Sequence, residues 1–193
     1  MDITTLTLGL YQTNCYILFS DGKNALVIDP GYEPQAILSA LQAKGLSLSA
    51  ILLTHGHFDH VGAVSALVAE TDCAVYLCEK ELSLPPMMTA GPLTYTHSYR
   101  EGDCLRLAGL SFTVWETPGH TPGSVCLKFG DHLFTGDTLF AGSCGRTDFP
   151  GSSPAQMRAS LARLAGIEED LTVHPGHGSR TTLFEEKQTN PFL

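Results

Sequence analysis

A chain of 193 residues is sized for one domain spanning residues 1–193, with a buried core of its own. Its 43% hydrophobic content is that of a soluble globular protein, and no stretch approaches the about 20 apolar residues of a membrane span. A net charge of −9 without any Lys/Arg cluster disfavours nucleic acid, whose phosphates are met by a basic face.

The N-terminus, MDITTLTLGL, has no basic segment ahead of a long apolar run, so no secretory signal is read and a cytoplasmic location is expected. Strands are predicted at residues 3–10, 14–20 and 25–31, with a turn at Asp21-Gly22. Pro34 to Lys44 carries Ala36, Ile37, Leu38, Ala40 and Leu41 at amphipathic helical spacing and is closed by Gly45. A buried-type strand follows at residues 50–54. Residues 61–70 read as a second helix and 74–77 as a short strand. Residues 85–100, rich in Pro, Met and Thr, lack periodicity and are expected to form a surface loop at a pocket mouth. Strands return at 105–107, 111–116, 124–129 and 132–135. A helix over 153–164 has Ser153 as N-cap and Pro154 at its first position. A last strand at 171–173 precedes a helix over 181–189. Two similar halves, each running from strands to helices, suggest two facing sheets with helices outside both.

The six cysteines (Cys15, Cys73, Cys78, Cys104, Cys126, Cys144) show no CxxC spacing and are expected to be small core residues, not disulfides. The histidines are the anomaly. His55, His57, Asp59 and His60 fall within six residues, Thr54-His-Gly-His-Phe-Asp-His60, between an apolar strand and a helix. Imidazole suits zinc or iron, and carboxylate widens the choice. Three further stretches repeat one design, in which a strand and a tight glycine turn are followed by a ligand-type side chain. They carry His120 in TPGHTPGS, Asp137 in FTGDT and His177 in HPGHG. Ligands at several strand ends can converge on one edge of a sandwich.

This pattern resembles the metallo-β-lactamase superfamily, marked by HxHxDH followed by distant His, Asp and His. The likeness runs from Asn14, Cys15 and Tyr16 and from Asp29, Pro30 and Gly31 to the terminal Asn190-Pro-Phe-Leu193. Gly145, Arg146, Thr147, Asp148 and Phe149 are similar to glyoxalase II-like proteins and persulfide dioxygenases, with the small glyoxalase II-like hydrolases nearest in pattern. The resemblance implies an α+β fold, a four-layer αβ/βα sandwich of two facing mixed sheets flanked by helices. It implies two divalent metal ions, with zinc expected and iron or manganese as alternates. His55, His57 and His120 would hold one. Asp59, His60 and His177 would hold the other, with Asp137 between them. Asp59 and Asp137 are the catalytic carboxylates on this reading. Glyoxalase II itself has a C-terminal helical extension that supplies much of its glutathione site, whereas this sequence stops soon after His177, so glutathione recognition is expected to be weak.

The implied reaction is hydrolysis of a small acyl thioester of the hydroxyacyl-glutathione kind by a hydroxide held between two metals, which lower the pKa of bound water from 15.7 towards ~7. The partner is then a small-molecule thioester, and a homo-oligomer is left open. Asp29 either orients a ligand histidine or caps a turn. Arg146 either binds a substrate carboxylate or clamps Asp148 or Asp137. Cys144 is read as packing, His174 as a strand-end hydrogen-bonding residue, and Met87, Met88 and Tyr95 as ordinary loop residues before pocket walls. Two other functions compete: a mononuclear iron persulfide dioxygenase using His55, His120 and Asp137, whose two-His-one-carboxylate set suits iron and oxygen, and a metal-binding module with a vestigial site.

Overall fold

In the computed structural model, which describes residues 1–20 and 22–193, alternate residues of the central strands face opposite cores. Ile17, Val27 and Ile51 belong to one buried cluster, while their neighbours Leu18, Leu26 and Leu52 belong to another. Strands apolar on both faces need cover on both faces, and this period-2 pattern builds the layers. The predicted turn at Asp21-Gly22 rests on Asp21, which lies outside the described residues.

The first sheet has the order β1 (Asp2–Leu8), β2 (Thr13–Phe19), β3 (Asn24–Ile28), β4 (Ser47–Leu52), β5 (Ala74–Leu77), β6 (His97–Ser98). Its first three strands are antiparallel and the rest parallel, so the sheet is mixed. The second sheet contains β7 (Cys104–Leu107), β8 (Leu110–Glu116), β9 (Val125–Phe129), β10 (His132–Gly136), β13 (Thr172–Pro175) and β14 (Thr181–Thr182). There β10 and β13 run parallel and the other pairs antiparallel. Between them in the chain, β11 (Leu139–Phe140) and β12 (Ser143–Cys144) form a separate hairpin.

Tyr16, Leu18, Leu26, Ile28 and Leu52 of the first sheet pack with Val114, Leu127 and Phe134 of the second, forming the central core. Outside the first sheet, α1 (Pro34–Ala43) buries Ile37 and Leu41, and α3 (Val64–Thr71) buries Val64 and Leu67. Outside the second, α5 (Pro154–Ala165) buries Met157, Ser160, Leu161 and Leu164, an i, i+3, i+4, i+7 stripe. The Ser153 side chain accepts from Gln156 N as the expected N-cap. The result is the four-layer αβ/βα sandwich. No helix of the described residues is long and apolar enough to cross a membrane.

Several local expectations give way to long-range contacts. The single helix predicted over 61–70 divides into α2 (Phe58–Val61) and α3, because Ala63 N donates to the Pro30 carbonyl instead of continuing a helical ladder. The 85–100 loop contains α4 (Pro86–Thr89) and β6, and its Tyr99 is buried with its hydroxyl donating to the Leu53 carbonyl. The last helix starts two residues late, as α6 (Leu183–Thr189), since Thr181 and Thr182 pair with β13 and the Thr182 side chain caps the helix. Cys15, Cys73, Cys78 and Cys126 are buried, but Cys104 is exposed on β7 and Cys144 half-buried in the hairpin, so the core reading of all six is corrected for these two. All six thiols are free.

Candidate metal centre

Each sequence-predicted ligand leaves a strand end on the same edge of the sandwich. β3 ends just before Asp29, whose φ of 50° turns the chain sharply into Pro30 and Gly31. β4 ends two residues before Thr54. The buried Asp29 carboxylate ties these two strand ends together, accepting from Thr54 N (2.8 Å) and from the Thr54 hydroxyl (2.6 Å). Gly31 is needed here, because a β-carbon on it would overlap the Asp59 carbonyl. That close approach seats α2, which carries Asp59 and His60. β10 delivers Asp137 and β13 leads to His177. His120 lies in the turn between β8 and β9.

The histidines are oriented from behind. The Nδ1 of His60 lies 3.0 Å from Asp29 Oδ2, that of His120 lies 2.8 Å from the Arg146 carbonyl, and that of His177 lies 3.1 Å from the Tyr11 carbonyl. His55 Nδ1 lies 3.1 Å from the Thr54 hydroxyl, which already donates to Asp29 and so accepts here. In all four rings the back nitrogen is then the protonated one, leaving Nε2 as a lone-pair donor.

Those lone pairs converge. Ligand atoms of His55, His57 and His120 lie within 4.8 Å of one another, as do those of Asp59, His60 and His177. His57 Nδ1 and His120 Nε2 are 2.8 Å apart. Asp137 stands between the groups, with Oδ2 3.4 Å from His120 Nε2 and 3.6 Å from His177 Nε2, and Oδ1 3.3 Å from His60 Nε2. Asp59 Oδ2 is 3.3 Å from His177 Nε2 and accepts from the Thr13 hydroxyl. Asp29 also lies within ligand distance of His55 and His60. Its oxygens, however, are taken by Thr54 and by the back of the His60 ring, so it orients rather than joins the cluster.

The buried His55 Nε2, His57 Nε2 and Asp137 Oδ1 have no hydrogen-bond partner. A buried polar atom left unpaired costs about 1–3 kcal/mol, and His55 Nε2 and Asp137 Oδ1 in one cluster, with His57 turning its Nδ1 to it, fit a cation. Burial, reinforced by the neighbouring imidazoles, holds His55 well below its ordinary pKa, and burial with His120 lowers His57 to about 4. Burial works against ionised Asp137, yet the facing His60 and His120 keep its carboxyl below the usual carboxylate range. Burial works against protonated His60 and His177, yet the facing Asp137, Asp29 and Asp59 carboxylates raise both, so a metal there takes the place of a proton. Neutral imidazoles and ionised carboxylates are the states that bind divalent metal.

Glu81, which carries no motif, is fully buried in the 3₁₀ turn Glu79–Ser83. Its Oε2 accepts from Gly56 N (2.5 Å) and its Oε1 from Gly123 N (2.6 Å), tying the His55–His57 turn to the His120 loop. Burial raises its pKa, with Thr121 and the two amides opposing. The cluster opens into a cleft of about 530 Å³ lined by Tyr11, Phe58, Met88, Phe140, Arg146 and Phe149. Arg146 takes Asp148, not Asp137, through two hydrogen bonds of 2.6 and 2.7 Å. Burial raises the Cys144 thiol pKa, which leaves it a poor nucleophile, consistent with a packing residue. Met88 lines the cleft, whereas Tyr95 packs against the core beneath α1 and α3. His174 is the strand-end hydrogen-bonding residue expected, 3.0 Å from His132.

The profile of the metallo-beta-lactamase superfamily matches residues 8–177. The chain belongs to this superfamily. It is 36% identical to the hydroxyacylglutathione hydrolase GloC of Haemophilus influenzae over all of this chain and 98% of that one. Its fold superposes on the crystal structure of the B3 metallo-beta-lactamase BLEG-1 with a TM-score of 0.90 at 37% identity, covering 100% of this chain and 99% of the other. A second crystal structure, of a protein in a di-iron-bound form, gives a TM-score of 0.86 at 42% identity, covering 98% and 100%. The donor set thus suits divalent metal, whose identity the residues leave open between zinc and iron.

Proposed function

We propose that this protein, acting as one domain over residues 1–193 in the cytoplasm, hydrolyses small acyl thioesters of the hydroxyacyl-glutathione class. The observation that carries this reading is the complete second group. Asp59, His60 and His177 stand beside His55, His57 and His120 with Asp137 between the two, and a one-metal oxygenase could work without the second group. The full-length likeness to a hydroxyacylglutathione hydrolase supports the substrate class.

His55, His57 and His120 would hold one metal ion and Asp59, His60 and His177 a second, with Asp137 shared. Bound there, such ions supply a nucleophilic hydroxide at neutral pH and polarise an acyl oxygen. The chain's own part is orientation. Asp29 and the Arg146 and Tyr11 carbonyls hold three rings by their back nitrogens, and Thr13 steers the Asp59 carboxylate. Asp59, which lines the cleft, would accept a proton from the attacking water. A thiol of pKa about 8.5 departs as its anion without a strong acid, which suits thioesters.

The test is to give the metal-loaded protein a hydroxyacyl thioester and, separately, a glutathione persulfide, following thiol release and dissolved oxygen. Thiol release without oxygen uptake is expected. Oxygen uptake with the persulfide, one iron per chain and no thiol release would establish the dioxygenase reading through His55, His120 and Asp137 instead. Metal binding with no turnover of either compound would leave the vestigial-site reading.

A further inference from the structure

Outside the ligand cluster, the cleft walls are mainly apolar. Tyr11 and Phe58 meet edge to face with ring centroids 5.3 Å apart, and Met88, Phe140 and Phe149 join them, with Ser143, Cys144 and Arg146 as the remaining lining. Tyr11 is 53% exposed, and the chain neighbours of the lining residues Tyr11 and Met88, Leu10 and Met87, are 88% and 77% exposed. Isolated exposed apolar residues need no explanation, whereas apolar side chains gathered around one cleft mark a binding surface.

Charge points the same way. Among the described residues, Arg146 is the one Lys or Arg in the lining. Its guanidinium is spent twice, on Asp148 through two hydrogen bonds and on the Phe149 ring at 4.0 Å. A glutathione arm, with two carboxylates to place, meets in the lining a single cation already engaged by Asp148.

Resting on the thioesterase reading but departing from its hydroxyacyl-glutathione substrate, we propose that the site turns over best those acyl thioesters whose acyl group is apolar and whose thiol arm is uncharged, and that the Tyr11 ring sets this preference. Tyr11 is suited to the role because the same residue is docked at both ends. Its carbonyl accepts from His177 Nδ1, and its ring braces Phe58, the residue between His57 and Asp59. The wall is therefore held in register with the reacting groups, and an apolar acyl group on it is desolvated where the carbonyl must sit.

The experiment measures kcat/KM of the metal-loaded protein for acetyl and phenylacetyl thioesters, each carried on N-acetylcysteamine and on glutathione. The neutral carrier is expected to outperform glutathione with either acyl group, and phenylacetyl to outperform acetyl by about tenfold or more, the scale of a few methylenes in an apolar pocket. Tyr11→Ala should lower the phenylacetyl-to-acetyl ratio about tenfold, chiefly through KM, and Tyr11→Phe should restore it, because the ring and not the hydroxyl forms the wall. A glutathione preference, or a ratio unchanged by Tyr11→Ala, overturns this inference while leaving thioester hydrolysis standing. If no thioester on either carrier is turned over, the thioesterase reading fails and this inference falls with it.

Discussion

Asp29 Oδ2 lies 3.0 Å from His60 Nδ1, and Asp29 reaches that ring from a backbone with φ of 50°. A non-glycine residue held in the left-handed region marks a place where surroundings override local preference. Here the surroundings are two donors from Thr54 and the imidazole itself. The carboxylate fixes the protonated nitrogen of His60 and turns Nε2 toward Asp59, Asp137 and His177. Asp29→Ala should weaken metal binding at the Asp59–His60–His177 group by about 10–100-fold, read by chelator competition, while the metal at the three-histidine group stays bound.

Glu81 acts on the other group. Its two oxygens hold Gly56 N and Gly123 N, and a β-carbon on Gly123 would lie 2.8 Å from Oε1. Glu81→Gln replaces one acceptor with a donor facing an N–H. The expected loss is about 1–3 kcal/mol in chemical denaturation, together with weaker metal binding at His55, His57 and His120. Full metal affinity in a folded Glu81→Gln protein would show that the tie is not needed to position those rings.

How much was readable beforehand follows from where the information lies. The HGHFDH turn is contiguous, and His120, Asp137 and His177 each follow the same strand-and-glycine pattern, so all seven clustered side chains were visible as candidates. Glu81 was not, since its partners are backbone amides 25 and 42 residues away, which leave no complementary residue type in the sequence. The break between α2 and α3 escaped notice for a similar reason, resting on the distant Pro30 carbonyl. The β11 and β12 strands, two residues each, are too short for any period to show. Two facing sheets were suggested by the two similar strand-to-helix halves and the four layers by the family resemblance, while the pairing order of the strands was not legible.

Gly31 has a backbone carbonyl where a side chain would begin, and a carbonyl cannot rotate away as a flexible side chain can. Gly31→Ala should therefore push α2 outward, displacing Asp59 and His60 together. The expected outcome is a lower thermal midpoint and loss of one metal per chain, measured by thermal denaturation and metal analysis.

His174, buried against Phe134 with ring centroids 4.6 Å apart, has its pKa lowered from 6.5 to about 4, by burial first and then by His132 and Arg180. Its folded pKa lies below its unfolded one, so between pH 6.5 and 4 the unfolded chain binds the extra proton. Stability contributed by neutral His174 is complete above that window and is lost as pH falls through it. In metal-free protein, His174→Leu should reduce the acid loss on going from pH 7 to pH 5 by on the order of 1 kcal/mol, measured by urea denaturation at both values. An unchanged pH difference would show that His174 does not titrate in this way.

The central claim is that seven side chains, His55, His57, Asp59, His60, His120, Asp137 and His177, form one site for two metal ions. Native mass spectrometry of protein purified without added metal counts those ions directly, with His60→Ala alongside. Two divalent ions per wild-type chain, falling to one in His60→Ala, is the result this account predicts. A single ion in the wild type that His60→Ala leaves undisturbed would contradict it.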